Sequence, residues 1–120
     1  AVMATTNISS WLISPDINIP TGVAPKYSFT CARRYTAGTF KAYVSTNFTG
    51  ANLATATWTL LATVPAGSAA AFTPFDTFGP YNFTAYAGQK INIAFRYEVP
   101  AGTAASAAGT YEPDDIKISR

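Results

Sequence analysis

The stretch "KINIAFRYEV", Lys90 to Val99, decides the fold. Ile91, Ile93, Phe95 and Tyr97 recur at every second position, with Lys90, Asn92, Ala94 and Arg96 between them. Successive side chains of a strand point to opposite faces, so this pattern gives one dry face and one wet face. A helix would need apolar residues three and four apart, and that spacing is nearly absent from the chain.

The same alternation recurs on either side. In "KYSFTCARRY", 26–35, Tyr27, Phe29, Cys31 and Arg33 share a face. In "TFKAYVST", 39–46, Phe40, Ala42 and Val44 point one way, and Lys41, Tyr43 and Ser45 the other. "TWTLLATV", 57–64, reads as a strand ended by Pro-Ala-Gly. "AAAFTPFDTFGPYNF", 69–83, contains Pro74 and Pro80 and predicts a short or edge strand, because proline cannot donate to a ladder. "TAYAGQ", 84–89, is a tight connection, and "TYEPDDIKIS", 110–119, closes the chain. Near the start, "SWLISPDINIP" carries Trp11, Ile13, Ile17 and Ile19 in one phase around Ser14-Pro15. Here the proline marks an edge or bulge. Trp11, Leu12 and Ile13 are expected to enter the core, with pairing resuming in the same phase after Asp16. About seven strands at this spacing predict an all-β fold, an antiparallel two-sheet jelly-roll-like β-sandwich, as a single domain over 1–120.

Composition excludes several functions. Charged residues make up 12% of the chain, about half the usual share, and the net charge is +2. No basic cluster exceeds Arg33-Arg34, so nucleic acid is not an expected partner. No apolar run reaches the roughly 18 residues of a membrane helix. The single cysteine, Cys31, permits no internal disulfide and reads as a small apolar residue. With no histidine, Ser-His-Asp and Cys-His catalysis and histidine-ligated metals are ruled out. Two of the six carboxylates could in principle form a glycosidase pair, but no motif links two of them, and no catalytic residue is assigned.

The motifs "WLISPDINI", "KAYVSTNFTGANLATATWTLL", "YAGQKINIAFRYE" and "TYEPDDIKI" follow one another in an order that resembles the choice-of-anchor J domain. That family is related to the cleaved-adhesin and MAM-like jelly rolls of bacterial surface proteins. The resemblance runs from Trp11 to Ile118, departing at Pro113, where the family prefers an aliphatic residue. It implies a non-catalytic module, secreted, periplasmic or on the outer cell surface, that binds carbohydrate or a surface ligand in the manner of an adhesin. The alternative is a structural spacer or self-associating module without a small ligand. The family begins with a strand before the tryptophan, and only ten residues precede Trp11 here. The expectation is a curtailed first strand or a piece of a larger protein. Either leaves a sheet edge open to pairing with another chain.

Two sets of residues are candidate sites. Arg34, Lys41, Tyr43 and Arg96 fall on the phase opposite the core and would form a polar, sugar-binding face if their strands are neighbours. The alternative is an ordinary solvated face. Related jelly rolls often hold a structural Ca²⁺ near their terminal strands, which would make Glu112, Asp114 and Asp16 ligands. That reading takes Glu112, Asp114, Ile116 and Ile118 as one phase, and its alternative is an aspartate accepting loop N–H groups or pairing with arginine. Phe48, Phe72, Phe75, Phe78, Tyr81, Phe83 and Tyr86 either line a groove or fill the space between sheets. Asn47 opens an N-x-Thr triplet in a polar loop and is expected at the surface.

Overall fold

The computed structural model describes residues 8–22, 25–34, 38–67, 71–99 and 110–119; within strands, the side chains of Ile8, Thr110 and 112–119 lie outside that description. The described residues form eight strands: β1 (Ile8–Ile13), β2 (Ile17–Asn18), β3 (Lys26–Arg34), β4 (Thr39–Ser45), β5 (Thr59–Val64), β6 (Asp76–Asn82), β7 (Lys90–Val99) and β8 (Thr110–Ser119). A turn of 3₁₀ helix, Thr84–Tyr86, leads into β7.

All pairings are antiparallel. One sheet runs β1-β7-β4-β5, with β2 continuing beside β7; the other runs β6-β3-β8. The alternating strand is thus the inner strand on which the larger sheet is assembled. Between the sheets lie Tyr27, Phe29 and Cys31 of β3, Phe40, Ala42 and Val44 of β4, and Ile91, Ile93 and Phe95 of β7, all buried. These are the residues that alternation assigned to the dry face. Aromatic rings bridge the layers: Phe29 meets Phe95 edge-on at 4.9 Å, and Phe40 stacks on Tyr111 at 4.8 Å. Pairs of this kind contribute about 0.5–1.5 kcal/mol beyond their buried area. Arg33 also points inward and is buried, as its phase predicted. A buried charge must be paired, and the Arg33 Nη2 donates to Asp76 Oδ2 at 2.8 Å while its guanidinium lies over Phe78.

The ladders carry four one-residue irregularities. Ile13 pairs with Ala94 and Ile17 with Ile91, so Ser14, Pro15 and Asp16 oppose only Asn92 and Ile93. β5 has Leu61 as an extra residue between the pairs Ala42–Ala62 and Tyr43–Leu60. Opposite Ser28–Phe29, β6 bulges at Gly79-Pro80 and β8 between Asp114 and Lys117. Gly79 has φ +103°, and a Cβ there would stand 2.7 Å from the Tyr27 carbonyl oxygen, so the bulge requires glycine.

The first bulge overturns the expected phase at the start of the chain. Cross-strand partners share a face. Ile17 stands opposite Ile91 on the core side, but Trp11 stands opposite Arg96 and Ile13 opposite Ala94 on the solvent side. Trp11 and Ile13 therefore do not enter the core with Ile17 and Ile19, because one inserted residue flips the face. Pro15 sits where the ladder is broken, so its missing N–H costs nothing. Ser14 bridges the gap: its N–H donates to the Ile93 carbonyl at 2.8 Å, and its hydroxyl accepts the Ile93 N–H at 2.9 Å. The buried Asn92 amide closes it, donating to the Ser14 carbonyl and to Asp16 Oδ1.

Two measurements check this account. Ser14→Ala leaves the Ile93 N–H unpaired and is expected to destabilise the fold by about 1–2 kcal/mol, read as a lower urea midpoint with an unchanged slope. Burial, and secondarily Tyr81, holds the Tyr27 hydroxyl well above the ordinary tyrosine value, and burial raises Tyr81, Tyr97 and Tyr111 as well. Unfolded tyrosines ionise near pH 10 while these stay protonated, so stability is complete below about pH 10 and is lost above it. The melting midpoint is expected to hold to about pH 9.5 and then fall, less steeply in Tyr27→Phe.

Candidate binding cleft

The solvent face of the larger sheet is ordered by register. One row across it reads Trp11 (β1), Arg96 (β7), Lys41 (β4) and Thr63 (β5). The next reads Ile13, Ala94, Tyr43 and Leu60. Lys41, Tyr43 and Arg96, assigned together from sequence, do share this face. Arg34 does not join them, since it belongs to β3 in the other sheet, where its guanidinium lies over Phe72 at 5.7 Å. Alternation identifies outward residues but not which sheet they leave.

The segment between β4 and β5 folds back over this face and brings Trp58 onto it. Trp58 packs on Trp11 with ring centroids 5.2 Å apart, and Trp11 on Tyr43 at 5.7 Å. Phe48 flanks Trp58 on its other side at 5.4 Å. Strands, tryptophans and loop enclose a cleft of about 590 Å³, bounded by Trp11, Tyr43 and Arg96 below and by Leu53, Ala56 and Trp58 above. The volume lies within the usual range for small-ligand sites.

Arg96 lies over the Trp11 ring at 5.0 Å. Its Nε donates to the Ser9 hydroxyl at 3.1 Å and stands 3.4 Å from Glu98 Oε1. The bonds at Arg96 thus go through Nε, leaving its terminal nitrogens uncommitted among the described residues. Lys41 forms no ion pair there either. The cleft therefore combines aromatic faces with uncommitted N–H donors, half open to water.

A hydrogen-bond network sets the loop in place. Ser45, expected outward, faces that way but is buried, because its hydroxyl donates to Asn47 Oδ1 at 2.9 Å. That oxygen also accepts the Thr57 N–H, one residue before Trp58. Asn52 accepts the Thr49 N–H and donates to the Asn47 carbonyl. Lys90 donates to the Phe48 carbonyl and to Asn92 Oδ1, joining loop and bulge. Asn47 is at the surface as expected, with its side chain used to close the loop.

The residues assigned to Ca²⁺ lie in different sheets. Asp16 sits in the β1–β2 bulge, accepts from Asn92 and is 3.8 Å from the Lys90 ammonium. Glu112 and Asp114 belong to β8 and stand opposite Ala32 and Thr30; their side chains lie outside the described residues. Ile118 pairs with Tyr27 across the β8 irregularity, so the four residues 112, 114, 116 and 118 do not keep one phase against β3. Among the described residues no group of three metal-ligating side chains gathers. The described carboxylates Asp16, Asp76 and Glu98 each stand beside a cation, Lys90, Arg33 and Arg96 respectively. In the aromatic set, Phe83 is buried and Phe78, Tyr81 and Tyr86 pack on the core, while Phe72 and Phe75 are exposed.

The sequence reading missed both tryptophans. Trp11 was placed inside by phase, and Trp58 was treated as part of a strand. A signal was present for Trp58, which stands two residues after the polar loop 47–56 and so needs no core position. Asn47→Ala removes the acceptor that anchors Thr57, so the loop is expected to loosen. A red-shifted tryptophan emission with the far-ultraviolet β signal retained would report this; an unchanged emission would contradict the anchoring role. No protein-family model and no curated protein matches the chain.

Proposed function

We propose that the chain is a non-catalytic binding module of a secreted or cell-surface protein, and that its aromatic cleft takes a carbohydrate. The observation that carries this reading is the pair Trp11 and Trp58 on the solvent face of a sheet, beside an arginine whose terminal nitrogens are uncommitted among the described residues. A sugar ring offers apolar C–H faces to an indole and hydroxyls at its rim to N–H donors. Burying such a ring needs little rearrangement of a cleft that is already formed. The resemblance to adhesin-related jelly rolls supports the same conclusion. The absence of histidine and the separate placement of the described carboxylates favour binding over hydrolysis.

A second reading, association through a sheet edge, rests on the edge strand β5, where Leu60 is 51% exposed. A glycan array followed by titration of the best hit separates the two. Trp11→Ala and Trp58→Ala are each expected to weaken binding at least about tenfold, or 1.4 kcal/mol, with circular dichroism unchanged. Arg96→Ala is expected to cost less and to narrow the range of sugars bound. A chain that binds no glycan and forms dimers in solution scattering would favour the edge instead.

A further inference from the structure

Lys41 of β4 and Arg96 of β7 stand directly opposite each other on the solvent face of the larger sheet. Facing residues of an antiparallel pair have Cβ atoms about 4.5–5.5 Å apart, and like charges placed so repel. Their neighbours along the row, Trp11 and Thr63, are uncharged. The adjoining rows hold one carboxylate, Glu98, opposite Ser9 and Thr39. Glu98 stands 3.4 Å from Arg96 Nε, and no carboxylate among the described residues pairs with Lys41. Two facing cations therefore share one carboxylate, and the sheet carries a surplus positive charge at this point.

A local rule broken in this way is expected at functional sites. The place of the surplus agrees with that. Arg96 lines the aromatic cleft, and Lys41 stands one strand farther along the row, away from Trp11. Ser9 and Glu98 occupy the Arg96 Nε, so its terminal nitrogens are the donors left uncommitted among the described residues. Those nitrogens form a planar fork that matches the two oxygens of a carboxylate, and such charge-assisted bonds are about twice as strong as neutral ones. A sugar hydroxyl would accept a bond there but would leave both cations facing each other uncompensated.

We infer that the carbohydrate of this cleft is acidic, a sugar bearing a carboxylate. Its ring lies among the aromatic side chains, and its carboxylate is held by the terminal nitrogens of Arg96 with Lys41 beside it. The inference rests on the carbohydrate reading of the cleft and adds the charge of the ligand. Uronates and sialates both supply this group.

The test compares each acid with its methyl ester, which keeps the ring and removes the charge. Tetragalacturonate and sialyllactose represent the two sources, titrated against the full chain in low salt and followed by tryptophan emission. At least one acid is expected to bind about tenfold more tightly than its ester, and the ratio should shrink as salt rises. The acid that shows the preference names the source. Arg96→Gln and Lys41→Gln should each cut the ratio to about threefold or less, whereas Trp11→Ala should weaken acid and ester alike. If neither acid outbinds its ester, the inference is overturned, and the carbohydrate reading still stands where any neutral glycan binds. Silence of every glycan overturns both. A preference that survives undiminished in both glutamine variants also overturns the inference, since it would then arise elsewhere on the surface.

Discussion

The buried amide of Asn92 holds together the parts on which this structure depends. It spans the one-residue bulge at Ser14–Asp16, donating to the Ser14 carbonyl and to Asp16, and accepts from Lys90. Without a bulge, β1 and β2 would run as one strand, and Trp11 would share a face with Ile17. With it, Trp11 crosses to the solvent side while Ile17 stays in the core. A buried polar network of this kind is favourable only when every member is satisfied, and here each of the bulge's groups in question finds a partner.

Lys90 extends that arrangement from the core to the cleft. It reaches the Phe48 carbonyl, next to the Asn47 that orders the loop leading to Trp58. The rigid sheet supplies Trp11, Tyr43 and Arg96, and the loop supplies the upper wall. A binding surface built this way is positioned by the scaffold and varied by the loop. The same β1 strand contributes its other face, through Leu12, to an apolar cavity beside Tyr27. The two faces of one edge strand thus present different chemistry, aromatic and polar outside, mainly apolar inside.

Much of the fold was legible in the chain. The dry residues of β3, β4 and β7 are the ones that alternation selected, including the paired Arg33, and the proline-broken stretch became the edge strand β6. Lys41, Tyr43 and Arg96 fall on one face, as expected, because each lies in an unbroken stretch of alternation. Arg34 was grouped with them wrongly, because a period of two says which face a residue occupies but not which sheet. The tryptophans were missed for a related reason: a strand read straight through Ser14-Pro15 keeps its phase, and the folded strand does not.

By itself, the sequence determined the all-β class, the strand segments, the inward residues of the uninterrupted strands and the absence of histidine chemistry. Those properties follow from local sterics and from apolar residues recurring every second position, both written within a few residues. Only the tertiary structure decided that Trp11 faces solvent, that Trp58 folds over it, and that Lys41 and Arg96 are neighbours. A bulge is defined by two strands together, since an extra residue exists only relative to a partner. That partner, Asn92 and Ile93 opposite Ser14–Asp16, lies some eighty positions away along the chain.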